Sequence, residues 1–180
     1  VLKDMKNLSN TEKIVMVAGS HGSAWTESIS APKTRAFGQD GSLTDNTITT
    51  WDMADAISDT GIKLDLLLFD ACMMGTAEVS YDFRNVVNYL IVSPLDVPGP
   101  GFPYQNIMIN LYEGTKDGYT EVCKQYIDFY RNYPHGWASV ALADINHIES
   151  LALSVQAQLL NHKEVLHNYN PIGKLQQYGL

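Results

Sequence analysis

The side chains most able to do covalent chemistry here are few: two cysteines, Cys72 and Cys123, and five histidines. Cys72 stands in Asp70-Ala71-Cys72, directly after the apolar run Leu64 to Phe69, and His21 stands in Ser20-His21-Gly22, directly after Ile14 to Ala18. A cysteine attacks as its thiolate, and an imidazole within reach can take or return a proton near neutral pH. Gly22 has no side chain to keep its N–H from an oxygen that is gaining negative charge. The backbone N–H groups of Gly22 and Cys72 are therefore expected to form an oxyanion hole. A helix expected to open near Met73 would turn its positive end toward the Cys72 sulfur. From position alone, a small buried cysteine and an ordinary loop histidine remain an equally open reading.

The elements that must position these groups alternate along the chain. Ile14 to Ala18, Leu64 to Phe69 and Tyr89 to Val92 are short continuous apolar runs, as in strands buried on both faces of a parallel sheet. Thr49 to Thr60 spaces Trp51, Ala54 and Ile57 as a helix that stops at Gly61, and Met73 to Arg84 has a helical pattern. Two more helices are expected near Tyr104 to Tyr112 and Asp117 to Arg131, the second with Val122, Tyr126 and Tyr130 on one face and Cys123 beside them. A fourth strand, Ala138 to Ala143, leads to a helix near Ile145 to Leu160. Such an order predicts an α/β domain with a mainly parallel sheet and right-handed crossovers. Ligands of such sheets gather beyond the carboxyl ends of the strands, where His21, Cys72, Asp70 and the Ser93-Pro94-Leu95-Asp96 segment fall.

Other chemistry is disfavoured. With 20 acidic and 12 basic side chains the formal charge is −8, which works against nucleic acid and anionic membranes. No apolar run approaches the roughly 20 residues of a membrane helix. The two cysteines lack zinc-knuckle spacing, and His162 and His167 do not share a helix face, so no metal site is expected. His147 falls near a helix start. No Walker loop or Gly-x-Gly-x-x-Gly follows a strand, so no nucleotide cofactor is expected. Cys123 and the tyrosines from Tyr119 to Tyr133 read as packing. His135-Gly136 precedes the fourth strand and, with that strand parallel, reads as a turn at the sheet edge away from Cys72.

The three blocks at the strand ends, taken in order, resemble the clostripain family of cysteine peptidases, in the clan of caspases, gingipains and legumain. Phe69-Asp70-Ala71-Cys72-Met73-Met74-Gly75-Thr76-Ala77-Glu78-Val79 is similar to that family's nucleophile block. Ser93 and Pro98-Gly99-Pro100-Gly101-Phe102-Pro103-Tyr104 are similar to its serine-containing loop. Two positions depart from the pattern: Gly19-Ser20 precedes His-Gly where an acidic residue is usual, and Pro94-Leu95 separates Ser93 from Asp96.

The resemblance implies a three-layer caspase-like sandwich, incomplete on its N-terminal side. The 180 residues, which begin at Val1 without methionine, are then read as a single peptidase domain that is a fragment or a processed chain. It further implies an endopeptidase with a Cys72–His21 dyad that cuts after basic residues, Arg before Lys. The alternative is a catalytically silent module that binds a basic peptide or partner chain. Asp70, Asp96 and Ser93 are the expected substrate-binding residues, with a helix N-cap as the other reading of Asp70. Arg35 and then Lys33 are the expected sites of self-cleavage, in the manner of a zymogen. The implied partners are peptides or proteins bearing Arg or Lys and the remainder of the peptidase domain, and the implied location is extracytoplasmic or secreted. No cofactor is expected; Asp40 to Asp45 gives only a faint hint of calcium.

Overall fold

The computed structural model describes residues 2–8, 11–23, 36–38, 47–134 and 137–169. A short helix α1 (Leu2–Leu8) precedes strand β1 (Val15–Gly19). Strands β2 (Ala36–Phe37) and β3 (Ile48–Thr49) pair antiparallel and lead into helix α2 (Thr50–Ser58). Strand β4 (Leu64–Asp70), helix α3 (Ala77–Asp82) and strand β5 (Val87–Val92) follow, then helices α4 (Tyr104–Glu113) and α5 (Lys116–Arg131). Strand β6 (Ala141–Asp144), a short 3-10 turn and helices α6 (Ile148–Asn161) and α7 (Lys163–His167) come last. The two-residue strands are too short to leave a hydrophobic period and are absent from the sequence reading.

The main sheet has the order β1-β4-β5-β6. β1, β4 and β5 are parallel, with Gly19 level with Asp70 and Leu68 level with Ile91. β6 is antiparallel to β5, against the expectation of a parallel fourth strand. The physical reason is a parity. Two helices, joined by a turn at Gly114 (φ +61°), lie between β5 and β6, so the chain returns to the edge it left and must enter β6 from there. The expected position of His135-Gly136 at the far edge assumed a parallel β6, a premise that does not hold. The dipeptide itself lies outside the described residues.

Side chains of β4 alternate between two cores. Leu67 and Phe69 join Ala18, Leu90 and Val92 against Met53, Ala54 and Ile57 of α2 and Val79 of α3, with Phe83. Leu66 and Leu68 join Ile91 against Ile107 and Leu111 of α4 and Tyr119, Val122, Tyr126 and Tyr130 of α5. Helices thus cover both faces of the sheet, and each fully buried Leu or Phe contributes roughly 1.5–3 kcal/mol. The chain divides into two compact units, Val1–Ile148 and Glu149–Leu180. The first holds the sheet and both cores; the described part of the second is the rest of α6, with α7 and the residues that follow it to Tyr169. Among the described residues no helix is long and apolar enough to cross a membrane.

Candidate active site

β1 and β4 are hydrogen-bonded neighbours in register, so the residues that leave them travel together. His21 is two residues beyond Gly19 and Cys72 two beyond Asp70, and that pair faces across the ladder. The Ser20 N–H still donates to the Asp70 carbonyl at 3.3 Å. A Cβ on Gly22 would sit 2.4 Å from the Cys72 carbonyl oxygen and 2.9 Å from the Met74 sulfur, so only glycine lets the two chains approach this closely. Beyond it, Gly22 bridges Phe37 and the Gly38 N–H donates to the His21 carbonyl at 2.9 Å, which fixes the backbone on either side of the exposed His21.

The helix after Cys72 begins later than the sequence pattern suggests. α3 starts at Ala77, and its N-cap is Thr76, whose side chain accepts from the Val79 N–H. Two readings fall here: no helix opens at Met73 beside the sulfur, and Asp70 is not the N-cap of the helix that follows. The Met73 N–H donates instead to the Leu95 carbonyl (3.0 Å), and Gly75 N–H to the Ser93 carbonyl (2.8 Å). Residues 71–76 therefore form a turn laced to the segment that follows β5. Gly75 is required by the lacing, because a Cβ there would lie 2.6 Å from the Pro94 nitrogen.

That segment, residues 93–103, carries the remaining expected site residues. Ser93 is fully buried; its hydroxyl donates to the Leu95 carbonyl and accepts from the Leu95 N–H. Asp96 is exposed. Asp70, half-buried, accepts from the Tyr104 hydroxyl (2.6 Å) and the Phe102 N–H (3.2 Å), both at Oδ2. Oδ1 takes no hydrogen bond among the described residues. Gly101, at φ +71°, passes so close that a Cβ would meet Oδ2 at 2.5 Å. The Tyr130 hydroxyl donates to the Gly101 carbonyl at 2.6 Å and ties the same segment to α5. Burial and the Asp70 charge raise the Tyr104 phenol above its usual range, and burial likewise pushes Tyr130 up to about 12.

The structure thus brings His21, Gly22, Asp70, Cys72 and the Ser93–Asp96 segment to one edge of the sheet, as the strand order predicts. Val97, beside the Cys72 sulfur, and the Tyr104 hydroxyl, bonded to Asp70, are contacts to which the sequence reading assigned no role. Tyr104 was read as a helix start and as the end of the block that resembles the family's serine-containing loop, and no spacing signal marks its bond to Asp70. Cys123 lies apart on α5, where burial pushes its thiol up to about 11, out of the range useful for a nucleophile at neutral pH. Among the described residues no group of three or more His, Cys, Asp or Glu could hold a metal ion. Arg35, Lys33 and Asp40 to Asp45 lie outside the described residues.

Comparisons with known proteins agree with this fold. The chain is 31% identical over 119 residues to clostripain of Hathewaya histolytica, a match that covers 61% of the chain and 22% of clostripain. A secreted C11 cysteine protease of Bacteroides thetaiotaomicron, called iotapain, superposes with a TM-score of 0.70 at 30% identity, covering 94% of the chain and 47% of that protein. A structure of a secreted C11 cysteine protease from the same organism with an irreversible peptide inhibitor gives a TM-score of 0.72 at 26% identity, over 89% of the chain and 48% of its own. The chain therefore spans about half of these solved proteins and about a fifth of clostripain. The model of the clostripain family matches residues 1–174, and the chain belongs to that family of cysteine peptidases.

Proposed function

We propose that the protein is a cysteine endopeptidase in which Cys72 attacks the scissile carbonyl and His21 protonates the leaving amine, with the backbone N–H groups of Gly22 and Cys72 holding the oxyanion. Water then hydrolyses the acyl-enzyme and the thiol is restored. The observation that carries this reading is the register of β1 and β4, which sends the His21 and Cys72 turns off the sheet side by side.

For specificity we infer a pocket for a basic side chain. Asp70 offers Oδ1 while Tyr104 and the Phe102 N–H hold Oδ2, and Asp96 adds an exposed carboxylate on the neighbouring loop. With one Asp70 oxygen engaged, a guanidinium spreads its donors over both carboxylates, which an ammonium does less well; Arg is favoured over Lys for that reason. Ser93 acts through its loop, since its hydroxyl is buried and bonded within the turn. The reading includes self-cleavage at Arg35 or Lys33, action outside the cytoplasm as the name of the iotapain relative describes for that protein, and no required cofactor.

An irreversible inhibitor bearing Arg and an acylating warhead tests the dyad. A mass gain on Cys72, lost in His21→Ala and absent from Cys123, is the expected result. Binding of the Arg peptide with no adduct and no turnover would instead make the chain a silent binding module. Incubating the intact chain beside Cys72→Ala tests self-cleavage, which predicts fragments ending at Arg35 or Lys33 only when Cys72 is present.

A further inference from the structure

With α3 opening only at Ala77, the Cys72 sulfur has a different backbone donor. The Val97 N–H points to Sγ at 3.3 Å, and the Val97 carbonyl lies 4.0 Å away, at the limit for a weak S–H donor. Val97 sits between two anchored stretches. On its N-terminal side, Ser93 and Leu95 carbonyls accept from Gly75 and Met73 N–H groups. On its C-terminal side, the Gly101 N–H donates to the Pro98 carbonyl at 2.8 Å, closing a Pro-Gly-Pro-Gly turn that the Asp70 carboxylate and Tyr130 hydroxyl hold from below. Pro98 confines the residue before it to extended backbone, so few conformations of Val97 are open. Met73, directly after the nucleophile, has φ 59° and is the one non-glycine residue with positive φ among the described residues. Such backbone persists only where the surroundings over-determine it, and its N–H bond to Leu95 ties it to the same strap.

We propose that the Val97 backbone N–H is a positioning donor for the nucleophile, holding the Cys72 sulfur in one orientation and stabilising the charge of its thiolate. The inference rests on Cys72 being the nucleophile. Hydrogen bonds to charged acceptors are among the stronger ones, and this one replaces the support that a helix end would give. It also joins recognition to reactivity, because Asp96, next to Val97, lies on the same strap.

The test measures alkylation of Cys72 by iodoacetamide against pH in the full chain, read by mass at Cys72, together with kcat and KM on an Arg peptide. Val97→Ala keeps the N–H, so its alkylation profile should stay where the parent's lies. Val97→Pro removes it and should move the alkylation profile up by about one to two pH units, with kcat reduced and KM little changed. Incorporating the α-hydroxy analogue of valine at position 97 removes the N–H with less change of shape and should give the same shift if the proline variant fails to fold. A profile that stays in place in the folded N–H-deleted variant overturns the proposal, even if activity falls. A profile that moves while the parent chain shows no turnover would sustain the N–H contact and sink the peptidase reading.

Discussion

The two faces of the central sheet are built on different principles. One face packs Leu67, Phe69, Leu90 and Val92 against α2 and α3 with carbon contacts, including edge-on rings of Phe69 with Phe37 and tilted rings with Phe83. The other packs Leu66, Leu68 and Ile91 against α4 and α5, whose phenols reach polar atoms: Tyr119 donates to Asp65 and Tyr130 to the Gly101 carbonyl. The first face answers to volume. The second fixes specific atoms, and Asp70 follows Leu66 and Leu68 onto it by the two-residue period of the strand. The polar anchors of Asp70 and of residues 93–103 therefore belong to the tyrosine face, while Ala71 and Met74 of the Cys72 turn pack into the other core, and substitutions can expose which of the two activity depends on.

The largest effect on stability should come from the carbon face. Phe69→Ala leaves a cavity between the rings of Phe37 and Phe83 and is expected to cost about 3–5 kcal/mol. Denaturant melts will show it, while activity per folded molecule changes little. A loss of specific activity larger than the loss of folded protein would show that this face also positions the site.

Asp70 distinguishes the two roles of the tyrosine face. Asp70→Asn retains an oxygen for the Tyr104 hydroxyl and Phe102 N–H but removes the charge, so turnover of Arg peptides should fall by roughly 10- to 100-fold with a small change in melting. Asp70→Ala loses both and leaves those two donors to find other partners, which adds about 1–3 kcal/mol of destabilisation. Equal turnover in Asp70→Asn and the parent would remove the pocket role and leave only the brace.

The strand ends were legible because continuous apolar runs mark buried strands, and the positions of His21, Cys72 and Asp70 follow from them. The two helices between β5 and β6 were also legible, and counting them would have given the direction of β6. The start of α3 was harder. The helical period of the sequence runs from Met73, but the close approach of Gly75 to Pro94 forbids a helix there, and that contact joins residues far apart in sequence. Thr76, with Glu78 two residues on, was the local signal for the true start. Val97 carried no signal at all, since its role lies in a backbone atom that every residue but proline possesses.

The tyrosine face also predicts a pH limit. Burial is the first cause that raises Tyr104, Tyr119, Tyr126 and Tyr130 above the ordinary phenol value of 10.0, with Tyr130 reaching about 12. These groups hold their protons more tightly folded than unfolded, so their contribution is fully present below pH 10. It is lost as pH rises toward 12 for Tyr130 and beyond that for the others. Phenolate absorbance from these four should appear together with unfolding; ionisation of Tyr130 in a chain that stays folded near pH 10 would contradict its placement.

The smallest effect separates two tyrosines one turn apart on α5. Both are buried and their rings meet edge-on with centroids 5.0 Å apart, so deleting either hydroxyl leaves the same hydrocarbon behind. The Tyr130 hydroxyl donates to Gly101, whereas the Tyr126 hydroxyl has no hydrogen-bond partner among the described residues, although its ring stacks on Phe102. Tyr130→Phe breaks a hydrogen bond at the base of the strap and should cost about 1 kcal/mol, with a measurable fall in kcat. Tyr126→Phe removes a buried group that gains nothing from its burial and should be neutral or slightly stabilising. A cost at Tyr126 equal to that at Tyr130 would mean that its hydroxyl has a partner, such as an ordered water beneath Asp70, and that the polar network under the site extends one residue further along α5.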